Sequence, residues 1–287
     1  GPSSKKSENG EWEVNFDNME AYFNRMISYG FKRFNFGLGF RKSWSASEIG
    51  VNGMPAMSLE CYCYLAKMLP ALEKFLADRG WSDYFTLGIA DEPNEHNATE
   101  YRALCGMVRK FAPSIKLLDA MSYGQVHGAV DIWIPLNSEY ETHKKEFEVY
   151  RKNGDEMWYY DCCGPRGGGY INRFMDYPLL STRYHFWANY AYGLPGYLHW
   201  AANIYQPGQD PFVQSCPEHH NADSVGFLPG IHFGQMTSSW RTHHPMPKAS
   251  PEHYAADIPW LNVWGPYVAW RSQHPYLTER ARHVAHC

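Results

Sequence analysis

Six short runs of strand-forming residues, each separated from the next by a stretch of helical pattern, constrain this chain more than any other feature. The runs lie at 31–38, 85–90, 115–120, 130–136, 156–162 and 196–203. Each is rich in aromatic or aliphatic residues and is bounded by Gly, Pro, Ser or Asn, the residues that punctuate strands. Helical stretches are expected at 18–29, 58–79, 98–111, 142–153 and 175–192. In the second of these, Leu65, Met68, Leu69, Leu72, Phe75 and Leu76 recur at three- and four-residue spacing, which turns one helix face to a core. Strands separated by helices pair in parallel, because only a crossover brings the chain back to run in the same direction.

Eight such units close a TIM-type (β/α)8 barrel, and six are countable here. The chain also opens on a helix that feeds a strand. The expected fold is therefore α/β, a TIM-type barrel lacking its first two strands in this chain. Residues 1–14 read as a tag scar (Gly1-Pro2-Ser3-Ser4) and a flexible start, 15–229 as the (β/α) barrel catalytic domain, and 230–287 as an irregular C-terminal tail packed on the barrel. That tail holds half of the fourteen histidines and shows little periodicity. A barrel lacking two strands would expose long edges, so upstream sequence completes it or the chain closes differently.

Composition removes several function classes. With 26 Lys and Arg against 30 Asp and Glu, a net charge of −4, no basic excess is present to neutralise phosphates, and nucleic acid is not an expected partner. A hydrophobic share of 44% and an aromatic share of 16% are enough for a large core and exclude long-range disorder. No apolar run approaches the roughly 18 to 20 residues of a membrane span. The seven cysteines include no C-x-x-C pair, so neither a disulfide framework nor a zinc site is indicated, and buried thiols are the simpler reading.

The sharpest chemical signal is Gly88-Ile89-Ala90-Asp91-Glu92-Pro93-Asn94, a strand that runs directly into two carboxylates and a proline. Proline has no N–H for the ladder, so the strand should stop there and present Asp91 and Glu92 at its C-terminal edge. In a (β/α)8 barrel that edge is where active sites are built. Two close carboxylates separate their pKa values, leaving one able to donate a proton while the other stays ionised, the division of labour that glycoside hydrolysis needs. The plainer alternative is that Asp91 caps the next helix or pairs with a base.

Other strand ends add aromatic and polar groups. Met157-Trp158-Tyr159-Tyr160-Asp161-Cys162 closes one run, and Gly196-Tyr197-Leu198-His199-Trp200-Ala201-Ala202-Asn203 forms another. Sugars have apolar C–H faces and a rim of hydroxyls, so aromatic platforms with hydrogen-bonding groups beside them bind them. Tyr160, Asp161, His199, Trp200 and Asn203 supply both, and Tyr123 and Asn137 join them as expected substrate contacts. Trp158, Tyr159 and Tyr197 read more simply as core.

Asp91-Glu92-Pro93 after a strand, Trp158-Tyr159-Tyr160-Asp161-Cys162, and Gly196-Tyr197-Leu198-His199-Trp200 followed by Gln209-Asp210-Pro211-Phe212 together resemble glycoside hydrolase family 123 and its uncharacterised relatives. The resemblance covers about residues 15–229. It implies a (β/α)8 barrel with an N-terminal β-sandwich that is not seen in this sequence. It also implies retaining hydrolysis of β-linked N-acetylgalactosamine by substrate assistance, in which the 2-acetamido oxygen attacks the anomeric carbon to give an oxazolinium intermediate. On that resemblance Glu92 is the general acid/base, while Asp91 orients the acetamido N–H and stabilises its developing positive charge. Tyr160 is placed to hydrogen-bond the acetamido oxygen. No cofactor or metal is required.

Two alternatives stay open on the residues. Asp161, on a later strand, is the one obvious carboxylate to serve as nucleophile of a conventional retaining glycosidase. A non-catalytic carbohydrate-binding barrel is the other. Cys216-Pro217-Glu218-His219-His220 lacks helical i, i+4 spacing and reads as a polar loop before a metal site. Arg166-Gly167-Gly168-Gly169 lacks the ending of a phosphate loop, Arg41 and Lys42 read as a solvated loop that could reach a charged glycan, and adjacent Cys162 and Cys163 do not suit an unstrained disulfide. A glycan substrate favours an extracellular or periplasmic location; oligomeric state has no signal in the sequence.

Overall fold

The computed structural model describes residues 2–41, 43, 45–122, 124–162, 164–165, 169–173, 177 and 179–199. The chain divides into two compact units, 1–165 with 180–198, and 166–179 with 199–287. Of the second unit, residues 169–173, 177, 179 and 199 are described; the Arg173 backbone N–H donates to the buried Asn172 side chain at 2.6 Å, and His199 is half-buried. The expected tail at 230–287 lies outside the described residues.

The first unit opens with β1 (Ser3–Lys6) and β2 (Trp12–Asn15), then α1 (Asp17–Ser28), β3 (Phe34–Gly37), β4 (Gly39–Arg41), β5 (Ile49–Val51), β6 (Met54–Pro55) and α2 (Leu59–Asp78). It continues with β7 (Phe85–Gly88), α3 (Ala98–Phe111), β8 (Lys116–Ala120), β9 (Ile132–Ile134), α4 (Asn137–Thr142) and α5 (Lys144–Lys152). It ends with β10 (Glu156–Met157), β11 (Tyr159–Tyr160), α6 (Leu179–Tyr192) and β12 (Tyr197–Leu198).

Where the sequence suggested a flexible start, β1 pairs antiparallel with β2. The apolar alternation of Trp12, Val14 and Phe16 explains it: Trp12 meets Tyr64 edge-on at 5.0 Å and Phe16 stacks on Phe75 at 4.9 Å, anchoring the hairpin to α2. Helix α2 begins where Ser58 accepts the Cys61 N–H at 3.1 Å, an N-cap that satisfies one of the unpaired amides of the first turn. Its stripe of Leu65, Met68, Leu69, Leu72, Phe75 and Leu76 is buried as the spacing demands, and Pro70 sits on the exposed side. Helix α3 buries Tyr101, Leu104, Cys105 and Val108, again three and four apart, and ends on Arg109 and Lys110, which favour the negative end of the helix dipole.

The five strands β3, β7, β8, β9 and β10 form one parallel sheet in the order β10-β9-β8-β7-β3. Residues 156–160 run on past β9: the Trp158 N–H donates to the Trp133 carbonyl at 2.8 Å and the Tyr160 N–H to the Pro135 carbonyl at 3.0 Å. On the far side of this segment β11 pairs in parallel with β12. All six expected strands therefore lie side by side in chain order, each parallel to the next, as repeated βα units require. Among the described residues this sheet is open and is not closed into the expected (β/α)8 barrel. A second, antiparallel sheet of β4, β5 and β6 interrupts the first crossover, a detail the sequence did not suggest.

Side chains alternate across the sheet. One face packs under the helices with Phe34, Phe85, Leu87, Leu117, Trp133 and Met157, and Phe23 of α1 stacks on Phe34 at 4.3 Å. The other carries a smaller cluster of Leu118, Ala120, Ile132, Ile134 and Tyr160. Each fully buried leucine here contributes about 2 kcal/mol by removal from water. The result is a rigid parallel wall whose C-terminal edge brings several loops together.

Candidate active site

Asp91 and Glu92 stand at that edge, where β7 ends. Both take positive φ, 48° and 45°. The left-handed conformation costs a residue with a β-carbon roughly 1–2 kcal/mol, so two in succession persist only where the surroundings hold them. Those surroundings come from both neighbouring strands. On one side the Leu38 N–H donates to the Gly88 carbonyl and the Gly39 N–H to the Ile89 carbonyl, each at 2.8 Å. Gly39 is required there, since a β-carbon would stand 2.7 Å from the Ile89 carbonyl oxygen and 2.9 Å from Ile49 Cγ2.

On the other side stands Asp119 of β8. Its Oδ2 accepts the Ile89 N–H at 2.9 Å, the Ala90 N–H at 3.1 Å and the Tyr101 hydroxyl at 2.7 Å. Its Oδ1 accepts the Asp91 N–H at 3.2 Å, while the Glu92 N–H donates to the Ala120 carbonyl at 2.8 Å. Every amide of the turn from Ile89 to Glu92 is thereby partnered. Desolvation raises the Asp119 carboxyl to about 6, against the opposing pull of its Tyr101 and backbone donors.

The two carboxylates of the turn differ in setting. Asp91 is exposed at the strand end yet hemmed in by protein, and desolvation raises its pKa, with the Arg41 guanidinium pulling the other way. Glu92 is half-buried and accepts a hydrogen bond from the Tyr160 hydroxyl on Oε1. Burial, and then the neighbouring Glu92 charge, push the Tyr160 hydroxyl far above its ordinary value, so Tyr160 remains a donor at any working pH. One turn thus presents a half-buried carboxyl backed by a fixed donor and, beside it, a more open carboxylate.

Next to Tyr160, Asp161 points inward. It is fully buried, its Oδ1 accepts the Tyr197 hydroxyl at 2.8 Å and its Oδ2 lies 3.3 Å from His185 Nδ1. Tyr159 donates to the His185 carbonyl at 2.7 Å, so Tyr159 and Tyr197 belong to the packed interior, and Trp158 is half-buried with its indole N–H on Glu156 at 2.7 Å.

The family described as glycoside hydrolase 123, catalytic domain, matches residues 3–230. The chain belongs to glycoside hydrolase family 123. Among solved structures, a family 123 glycoside hydrolase from Clostridium perfringens, characterised for glycolipid glycan hydrolysis, is similar with a TM-score of 0.54 and 13% sequence identity. The likeness covers 70% of this chain and 38% of that one, so this chain spans well under half of that relative's length and the similarity speaks to fold alone. No curated protein sequence matches the chain.

In this family 123 chain the structure gathers Asp91, Glu92 and Tyr160 of the expected site residues. Asn137 opens α4 at the end of the neighbouring β9 segment, half-buried. Asp161, expected as a substrate contact, has no solvent exposure here and is held by Tyr197 and His185. His199 belongs to the second unit. Tyr123, Trp200 and Asn203 lie outside the described residues, as do Lys42, the glycines at 167 and 168, and the 216–223 loop. Among the described residues no group of three or more His, Cys, Asp or Glu is placed to hold a metal ion, and no helix is long and apolar enough to cross a membrane.

Asp119 and Tyr101 were missed from sequence. The signal was present in Lys116-Leu117-Leu118-Asp119-Ala120, where one carboxylate interrupts an otherwise apolar strand. A charge in a buried strand needs partners, and here the partners are the amides of the turn.

Proposed function

We propose that this chain supplies the catalytic wall of a retaining glycoside hydrolase that cleaves β-linked 2-acetamido sugars, N-acetylgalactosaminides foremost, by substrate assistance. The observation that carries the reading is the pairing of Glu92 with the Tyr160 hydroxyl directly beside Asp91 at the end of β7. Glu92 protonates the departing glycosidic oxygen as the acetamido oxygen attacks the anomeric carbon. Asp91 accepts the acetamido N–H and stabilises the positive charge that develops on the oxazolinium. Glu92 then takes a proton from the water that opens the intermediate, so the sugar leaves with retained configuration. Tyr160, whose hydroxyl rests on Glu92, turns to hold the acetamido oxygen when substrate enters. A closed barrel, completed by two strands beyond the six seen here, and a glycolipid glycan as substrate are part of the same proposal.

The conventional retaining alternative, with Asp161 as nucleophile, is disfavoured by that side chain's complete burial and its engagement with Tyr197 and His185. A nucleophile must reach the anomeric carbon. Release of p-nitrophenol from the β-N-acetylgalactosaminide, the β-N-acetylglucosaminide and the plain β-galactoside tests the reading. Turnover of an acetamido sugar that a thiazoline mimic of the oxazolinium blocks, with a loss of about two to four powers of ten in Glu92→Gln, is expected. Thiazoline-insensitive turnover of the plain galactoside would shift the chemistry to Asp161, and glycan binding unchanged in Glu92→Gln with no hydrolysis would mark a binding module.

A further inference from the structure

We infer that Asp119, with Tyr101 behind it, is the positioning residue of the Asp91-Glu92 turn, setting where the acid/base carboxyl stands through hydrogen bonds to backbone rather than through contact with substrate. The inference rests on the reading of Glu92 and Asp91 given above and adds the device that holds them. The ladder between β7 and β8 ends at Gly88 opposite Leu118. Beyond it, a strand would ordinarily give its next amides to the neighbouring backbone and continue straight. Here one side chain takes the place of the ladder: Asp119 collects the Ile89, Ala90 and Asp91 amides on its two oxygens. Because three successive amides converge on a single carboxylate, the chain leaves the sheet and enters the two left-handed residues.

Four donors meet this carboxylate: the Ile89 and Ala90 amides and the Tyr101 hydroxyl on Oδ2, and the Asp91 amide on Oδ1. Tyr101 is itself fully buried on α3, so the helix fixes the carboxylate and the carboxylate fixes the turn. Leu117 and Asp119 fall on the same side of β8, toward α3, which makes the helix layer the reference frame for the site. Ala120, the next residue, takes the Glu92 N–H on its carbonyl, so residues 119 and 120 together place both members of the pair.

Asparagine at 119 discriminates. With its oxygen at the Oδ2 position it keeps the Ile89, Ala90 and Tyr101 donors, but its amide nitrogen then faces the Asp91 N–H, donor against donor, where Oδ1 stood at 3.2 Å. The damage enters at the Asp91 amide and displaces the turn that carries Glu92. A displacement of about 1 Å in a reacting group costs on the order of a hundredfold in rate.

The experiment uses the full chain and the acetamido aryl glycoside, comparing wild type, Asp119→Asn, Tyr101→Phe, Glu92→Gln and the double variant Asp119→Asn/Glu92→Gln below their unfolding midpoints. Asp119→Asn is expected to lower kcat about a hundredfold with KM within about threefold, Tyr101→Phe to lower it by less than about tenfold, and the double variant to be no worse than Glu92→Gln alone. A kcat for Asp119→Asn within about threefold of wild type, or losses that multiply in the double variant, would overturn the inference while leaving the role of Glu92 intact. If Glu92→Gln keeps full activity, the catalytic reading itself fails. Amide hydrogen exchange then decides the positioning claim without any turnover: protection across Ile89, Ala90 and Asp91 should fall further than in β7 and β8 in Asp119→Asn, by at least about tenfold at Asp91 whose acceptor is lost, and in the same direction in Tyr101→Phe. Unchanged protection at those three amides in both variants refutes it.

Discussion

Replacing Asp119 by asparagine should change the pH dependence of stability in a calculable way. The folded protein raises this carboxyl to about 6 by burial, against about 3.9 in an unfolded chain. Folding therefore takes up a proton between those two values, and the group's contribution to stability is fully present below the lower one and lost as pH rises through the upper. Between about pH 4.5 and about pH 7.5 that loss amounts to about 2 kcal/mol, or about 4 to 8 °C in midpoint for a domain of this size. The groups facing Asp119 do not blur the window. The Cys105 thiol is pushed up to about 12 and the Tyr101 hydroxyl well above its usual value, so neither titrates there, while the neighbouring Asp91 carboxyl is raised by its own desolvation and stands in both proteins compared. Raised carboxyls elsewhere, such as Asp155, and lowered ones, such as Glu148, cancel when wild type and Asp119→Asn are compared. Urea unfolding at several pH values measures the gap: it should shift against the wild type by about 2 kcal/mol from the acidic to the neutral end. A gap that stays constant within about 0.5 kcal/mol would refute a buried, proton-binding Asp119.

Three further outcomes are expected. Gly39→Ala drives a β-carbon against the Ile89 carbonyl and Ile49, and should cost about 1–3 kcal/mol of stability by chemical denaturation. Tyr160→Phe removes the hydroxyl donor to Glu92, and because hydrogen bonds to charged groups contribute about 1.5–3 kcal/mol, kcat should fall roughly 10- to 100-fold while the unfolding midpoint moves little. Leu72→Ala empties a fully buried site on α2, and should lose about 2–5 kcal/mol in urea unfolding with no change in KM.

The order of elements was legible from the sequence alone because its causes are local. Apolar residues three and four apart make α2 and α3 amphipathic, short aromatic runs bounded by Gly and Pro make the strands, and their alternation forces parallel pairing in chain order. The placement of Asp91 and Glu92 at a strand end followed equally from the proline after them. What tertiary structure decided was which side chain reaches across to which strand. Nothing in Lys116-Leu117-Leu118-Asp119-Ala120 says that its carboxylate gathers three amides from the turn after β7, because that depends on a register fixed by the whole sheet. Tyr160 and Asp161 are adjacent in sequence and alternate across the strand, so one meets Glu92 and the other is buried against Tyr197 and His185. The sequence marks both as expected sugar contacts; only the packing of the strand between its neighbours turns one toward Glu92 and the other into the interior.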